Sequence, residues 1–342
     1  MADEEKDENL IDKSIKFEEF PSELMLKIFS FFEIVDMIKC SQLSKRIRVI
    51  CYDKSLWQRI NLSKKRIPTE FLQKVIVHNC EFLSLNEAKI VGNLRLENKS
   101  QLTYLDLSGC TAESQSVFEE LLKSCHSLQT LSFTQDINLE VMSQLTAQNG
   151  KTLQILNCLC GTRSRFQLSS IECILKNCSK LKELHFWNGV NLFESDGNLC
   201  YLCGINDDAF DYLVINISPE IEKLSFGYGG FDDQHIKTLV SRCTKLKELR
   251  LLAYTNIRND SITHIIDHLK LTLEKLLIDD AGNGENDFRK LYELKSMQKL
   301  KILDFTYNTN DVNVISELRN ELPDVSVNGY PPLTSEEENK KI

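Results

Sequence analysis

The chain has 342 residues, 42% of them hydrophobic, with a net charge of −9 and an isoelectric point near 5.4. No segment approaches the roughly 18 consecutive apolar residues of a membrane span, and an acidic chain lacks the basic stripe that general nucleic-acid binding requires. The composition predicts a soluble protein with a large elongated core and no membrane or nucleic-acid partner. No apolar run opens the chain as a secretion signal would, so its 12 cysteines read as reduced thiols of a cytoplasmic or nuclear protein.

Residues 1–16 are acidic, lack periodicity and read as a disordered tail. A compact helical stretch comes next. Pro21 suits a first helical position, after which Leu24, Ile28, Phe31 and Phe32 are expected to line one side of a helix, with Phe29 adding a second apolar surface. Asp36 is the expected N-cap of a second helix carrying Met37, Ile38, Cys40 and Leu43, and a third runs through Ile47, Val49 and Ile50. About forty residues are too few to hide that much apolar area within themselves. Either part of it faces a partner, or the segment is a hydrophobic cap for the remainder of the chain.

From Leu102 the phrase L-x-x-L-x-L returns at nearly fixed intervals. Its middle positions are Leu105, Leu131, Leu156, Leu184, Leu224, Leu249, Leu276 and Leu303, so the gaps are 26, 25, 28, 40, 25, 27 and 27 residues. Weaker copies stand at Trp57/Ile60/Leu62, Cys80/Leu83/Leu85 and Leu322/Val325/Val327, giving about eleven units of a leucine-rich repeat. Each interval reads as a helix, as in Ile171/Ile174/Leu175, Ile236/Leu239/Val240 and Ile262/Ile265/Ile266/Leu269. The fold class expected is an α/β solenoid, parallel strands on the concave face and helices on the convex one. One unit cannot bury enough apolar area to offset its ordering entropy, so the units must stack and the ends must be capped.

Cys80, Cys125, Cys178 and Cys243 each stand three residues before a phrase leucine, and Cys110 stands three after Leu107. Their register makes them packing residues. Cys200 and Cys203 form a C-x-x-C in the long interval, around residues 190–205, but two further zinc ligands at workable spacing are absent nearby. A long insertion in a regular solenoid is often functional, and this one is expected to border a binding site. Lys64, Lys65 and Arg66 read as a solvated turn. The outward strand positions should carry specificity; among and beside them Trp187, Tyr228, Arg250 and Tyr254 are the residue types that dominate binding hot spots. Arg250 and Lys223 hint at an acidic or phosphorylated ligand. Residues 329–342, with Pro331, Pro332 and Glu336, Glu337 and Glu338, read as a second disordered tail.

The run Phe20-Pro21-Ser22-Glu23-Leu24-Met25-Leu26-Lys27-Ile28-Phe29, continuing through Asp36, Cys40-Ser41-Gln42-Leu43-Ser44-Lys45-Arg46 and Leu56-Trp57, resembles an F-box. Ile47 stands where that family commonly has Trp, and Leu43-Ser44 where it has Val-Cys. An F-box at 17–59 followed by cysteine-containing leucine-rich repeats at 60–328 resembles the F-box/leucine-rich-repeat substrate receptors of Skp/cullin/F-box ubiquitin ligases, most of all the S-phase kinase-associated subgroup. The resemblance implies that Phe20, Pro21, Leu24, Ile28, Phe29 and Phe32 insert into a Skp-type adaptor, and through it reach a cullin and a RING subunit. It implies a protein substrate on the concave face, no catalytic residue, no cofactor and no metal. The alternative is a repeat protein that binds or inhibits without joining a ligase, its N-terminal helices only capping the solenoid.

Overall fold

A computed structural model describes residues 17–134, 138–159, 165–187, 204–227, 232–252, 259–279, 288–306 and 312–329. The tails at 1–16 and 330–342 and the insertion with Cys200 and Cys203 lie outside the described residues. A 3-10 turn at Phe17–Glu19 leads into four short helices, α1 (Ser22–Phe29), α2 (Ile34–Cys40), α3 (Lys45–Cys51) and α4 (Lys54–Trp57). Pro21 is the N-cap of α1, with an extended ψ of 143°, rather than its first helical residue. Because α1 stops at Phe29, Phe31 and Phe32 lie in the turn beyond it and not on a helical stripe. Glu33 precedes α2, so Asp36 falls in the first turn, where it pairs with Lys39 at 2.8 Å instead of capping. Ser44 caps α3 by accepting from Ile47 N at 3.2 Å, and Asp53 caps α4 by accepting from Ser55 N at 2.9 Å.

Met25, Phe29, Ile34, Met37, Ile47, Ile50 and Trp57 form the core of this helical unit. Trp57 closes it. Its indole N–H donates to Cys51 O at 2.9 Å, and its ring clusters with those of Tyr52 (centroids 5.4 Å) and His78 (4.9 Å), which are 5.7 Å from each other. His78 directly follows the first solenoid helix, so this stack joins the two parts of the chain. An ion pair between Lys65 and Glu33 makes a second tie.

In chain order the solenoid comprises β1 (Arg59–Asn61), β2 (Arg66–Pro68), α5 (Thr69–Val77), β3 (Phe82–Ser84), β4 (Lys89–Val91), β5 (Tyr104–Leu107), β6 (Thr111–Ala112) and α6 (Ser116–Ser124). It continues with β7 (Thr130–Thr134), α7 (Leu139–Asn149), β8 (Ile155–Leu159), β9 (Arg165–Phe166), α8 (Leu168–Asn177), β10 (Glu183–Trp187), β11 (Gly204–Ile205) and α9 (Asp207–Asn216). The last units are β12 (Lys223–Gly227), α10 (Asp233–Arg242), β13 (Glu248–Leu252), α11 (Asn259–Leu269), β14 (Lys275–Asp279), a 3-10 helix at Phe288–Ser296, β15 (Ile302–Thr306), α12 (Val312–Glu321) and β16 (Ser326–Val327). Eleven strands form one parallel sheet in the order β1-β3-β5-β7-β8-β10-β12-β13-β14-β15-β16. Ile60, Leu83, Leu105, Leu131, Leu156, Leu184, Leu224, Leu249, Leu276 and Leu303 stand in register across it, all buried.

The regular repeat fails in three places. The interval from Asn86 to Gln101 contains no helix, because its apolar residues alternate as β4 and then take an irregular path anchored by the buried Leu94. At the C-terminal end Val327, not Val325, stands opposite Leu303, a two-residue offset from the phrase. Short lateral strands, β2-β4-β6 and β9-β11, add two small sheets that apolar spacing does not foretell. Among the described residues no helix is long and apolar enough to cross a membrane.

Asn149, at the end of α7 and fully buried, fastens one unit to the previous one. Its carboxamide oxygen accepts from Leu128 N at 2.8 Å and its NH₂ donates to Cys125 O at 2.9 Å and Leu145 O at 3.0 Å. The following Gly150 is needed for close approach, since a Cβ there would stand 2.2 Å from Asn177 O. Replacing Asn149 with Ala strands a buried N–H and a buried C=O, each worth about 1–3 kcal/mol. Asn149→Ala is therefore expected to destabilise the chain by about 2–4 kcal/mol, read as a lower urea midpoint by circular dichroism; an unchanged midpoint contradicts this role.

Candidate functional site

Two surfaces are distinct from the packed interior. The first is the N-terminal helical unit. Of the 12 large hydrophobic side chains exposed among the described residues, eight fall between Phe17 and Tyr52: Phe17, Leu24, Phe31, Phe32, Val35, Leu43, Val49 and Tyr52. A segment this short cannot cover both sides of its helices. Its inner side forms the core above; its outer side is left to solvent.

Within the expected adaptor-binding set, Pro21, Leu24 and Phe32 are exposed, whereas Phe20 and Ile28 are half-buried. Phe20 O accepts from the Arg46 guanidinium at 2.7 Å, which fixes the lead-in to α1. Phe29 departs from the expectation. At 2% exposure it is a core residue, packed edge-on against Phe17 (6.1 Å) and Phe32 (5.3 Å), so it supports the surface without belonging to it. Its place outside is taken by Phe31, 76% exposed, and by Leu43 and Val49, at 71% and 74%. The signal for these was present as apolar residues one or two positions off the core spacing.

The second surface is the outward side of the strands. Two neighbouring rows carry alternating charge. Glu183, Lys223, Glu248 and Lys275 stand in register at the strand starts, and one position earlier stand Lys182, Glu222, Lys247, Glu274 and Lys301. The pairs close at 2.9 Å for Lys223–Glu183, 3.6 Å for Lys182–Glu222, 2.6 Å for Lys247–Glu222 and 2.7 Å for Lys301–Glu274. Exposed pairs of this kind contribute about 0–1 kcal/mol each, so their main effect is to fix register and to cancel the local field. Arg250 is paired with Glu248. Lys223 and Arg250 are thus neutralised within the chain and give no support to the expected acidic ligand at that point. Trp187 ends β10; Tyr228 and Tyr254 lie outside the described residues.

Two positions further along the strands the structure assembles a serine and a histidine beside the Glu183 carboxylate. His185 Nδ1 lies 2.7 Å from Ser225 Oγ, and its Nε2 lies 3.8 Å from Glu183 Oε2. The order resembles a hydrolytic relay, but Ser225 is 2% exposed, and β12 is paired on both sides, by β10 and β13. With β12 paired on both sides, its own amides are engaged in the sheet and do not supply the free donors that acyl transfer requires. The arrangement is a rigid polar floor. His185 beside it, and then Lys223, hold the Glu183 carboxyl down to about 2.

The cysteines in register with the repeat are buried, except for the half-buried Cys110. Burial pushes the thiols of Cys80, Cys110, Cys178 and Cys243 up to about 12 and that of Cys125 up to about 11. A nucleophilic cysteine needs the opposite shift, so these five are packing residues. No group of three or more His, Cys, Asp or Glu side chains able to hold a metal occurs among the described residues.

Residues 17–63 match the family model described as F-box-like. Among solved structures, the chain is similar to the leucine-rich repeat-containing protein LegL7 from Legionella pneumophila, with 10% identity, 78% of this chain and 89% of that one covered, and a TM-score of 0.43. It is also similar to a chain of the Rad7 and Elc1 complex in yeast, with 13% identity, 94% of each chain covered, and a TM-score of 0.45. The match makes the N-terminal helices an F-box-like domain, and the parallel-strand solenoid described above follows it in the chain.

Because Glu183 ionises more readily folded than unfolded, its contribution to stability is present above its ordinary value of 4.5 and is lost as pH falls toward about 2. Glu183→Gln is expected to lower the denaturation midpoint at pH 7, with the gap to the native chain closing between pH 4.5 and 2. A gap that stays constant down to pH 2 refutes the coupling.

Proposed function

We propose that the chain is the substrate-recognition subunit of a Skp/cullin/F-box type ubiquitin ligase. The F-box-like domain docks a Skp-type adaptor, through which a cullin and a RING subunit are recruited, and the solenoid holds a protein substrate on its concave side. The setting is the cytoplasm or nucleus, where the register cysteines stay reduced. The observation that carries this reading is the concentration of exposed apolar side chains on the helices matched as F-box-like.

Magnitudes support docking. A fully buried Phe, Leu or Val side chain contributes about 1.5–3 kcal/mol, so a few such anchors offset the losses of association. The receptor itself performs no chemistry: it raises the local concentration of a substrate lysine near a ubiquitin-conjugating enzyme. The S-phase kinase-associated pattern is the subgroup whose motifs the chain most resembles, and a substrate bound through Trp187, Tyr228, Arg250 and Tyr254 is the version of concave recognition that residue type favours.

Capping is the second reading, favoured by the Trp57 stack against Tyr52 and His78. Both roles fit one domain, since the core-facing side of the helices meets the solenoid and the outer side remains open. The test is capture by a purified Skp-type adaptor. Leu24→Glu changes an exposed residue outside the core, so helicity and thermal midpoint are expected to persist while capture falls by about tenfold or more. Full capture by this variant removes the docking assignment, and no capture by the native chain leaves capping as the function of the domain.

A further inference from the structure

The outward face of the solenoid changes character along its length. At the strand starts Arg59, Phe82, Tyr104, Thr130 and Ile155 stand in register, and the charged row described above begins only after them, at Glu183. Phe82 stacks on Tyr104 at 3.9 Å and 12°, and the Arg59 guanidinium lies over the Phe82 ring, 4.2 Å from its centroid. Stacking fixes both rings in place. Each is half-buried, so part of it remains open as an aromatic ledge on the outward face of β3 and β5.

Two residues further along the same strands runs a second row, Asn61, Ser84, Asp106, Ser132 and Asn157. Strand residues two apart share a face at a separation of about 7 Å, which places the half-buried Asp106 beside Tyr104. Its Oδ1 accepts from Ser108 N at 2.9 Å in the turn after β5. Two units earlier Asn61 makes the same contact, its Oδ1 accepting from Ser63 N at 2.9 Å. A neutral amide therefore suffices for the turn, and the fold does not need the charge at Asp106. The Glu183, Glu222 and Glu274 carboxylates are met by lysines. Among the described residues the Asp106 carboxyl meets only the Ser108 amide and, at 3.4 Å, the Ser84 hydroxyl. Its field is felt around it: burial and then Asp106 push the Tyr104 phenol up, and the same two causes push the Cys110 thiol up to about 12.

A half-buried carboxylate without a counter-charge is stabilised by a cation that arrives from outside. One carboxylate is too few for a metal ion, which takes several oxygen ligands, and no group able to hold a metal occurs among the described residues. A phosphate backbone is repelled by Asp106 and by the net charge of −9. A lysine or arginine side chain fits both features, since its apolar stem lies along the Tyr104 ring while its charged end reaches Asp106. Arg59, two strands away, lies over Phe82 and makes no ion pair with Asp106. We propose that this part of the outward face binds a basic segment of the substrate, with a Lys or Arg on Asp106 and an adjoining apolar side chain on the ledge of Phe82 and Tyr104. The inference rests on the receptor reading and deepens it by naming the class of sequence recognised. It places this contact on the first units of the solenoid, apart from the adaptor-binding helices and from the positions at and beyond Trp187.

The test uses the full-length chain and an array of labelled nonapeptides, each pairing one Lys or Arg with Leu, Phe or Tyr at every spacing up to four residues, alongside copies with Gln or Glu in place of the basic residue. Basic peptides of at least one spacing are expected to bind, with the Gln copies weaker by about tenfold or more. Asp106→Asn keeps the acceptor that the turn uses, so it is expected to erase that difference without changing the thermal midpoint or adaptor capture. Tyr104→Ser is expected to weaken basic and Gln peptides alike. The proposal is overturned if no basic peptide binds, if basic and Gln peptides bind alike, if Glu is preferred, or if Asp106→Asn leaves the preference untouched. A lower thermal midpoint in Asp106→Asn also overturns it, because the charge then serves the fold. Adaptor capture by a chain that binds no basic peptide sinks this inference and leaves the receptor reading standing. Binding of basic peptides by a chain that captures no adaptor has the converse meaning: the site on Asp106 stands and the receptor reading falls.

Discussion

The structure depends on a lateral constraint: no repeat can bury its own phrase leucines, so each does so only against the same residue of its neighbour. Ile60 through Leu303 stack in register as one ribbon, and every other feature is placed relative to it. Fixing that register fixes the outward residues as well. Glu183 meets Lys223, His185 meets Ser225, and Arg59 meets Phe82 because the leucines between them are already aligned. Polar ties such as Asn149 hold the convex turns at the same pitch. The core therefore sets the geometry of the surface, while the surface chemistry changes freely from unit to unit.

The same constraint decides which features were legible in the sequence. The phrase leucines recur at a fixed interval and leave a periodic signal, from which the strands, their register and most helices can be derived. Asn149 leaves none, because one buried carboxamide satisfying three backbone groups has no spacing to betray it. The charge rows are visible as alternating Lys and Glu only once the register is known, since their members stand 25 to 40 residues apart. Apolar spacing also misreads intervals that are extended rather than helical, as at Lys89–Val91.

The N-terminal helices were legible in composition and misread in phase. In a helix of eight residues two neighbouring stripes, Leu24/Ile28 and Met25/Phe29, have the same spacing, so periodicity alone does not say which of them faces inward. Taking Pro21 as the first helical residue put Phe29 outside and Phe31 and Phe32 on a helix; with Pro21 as the cap, Met25 and Phe29 turn inward and the two later phenylalanines belong to a turn. The apolar surplus survives the correction. It depends on the size of the unit rather than on which residue carries it.

A short helical unit attached to one end of a long ribbon has an inner face and an outer one, and the two are made differently. The inner face closes on the solenoid through Trp57, which is fully enclosed and hydrogen-bonded. The outer face carries Leu24, Leu43 and Val49 in solvent. Between them the first strand of the ribbon has, among the described residues, no neighbour on one side, so the junction combines a backbone edge with an apolar wall. Such an edge promotes aggregation unless it is short or covered. Three residues make it short, and the turn after α1 stands beside it.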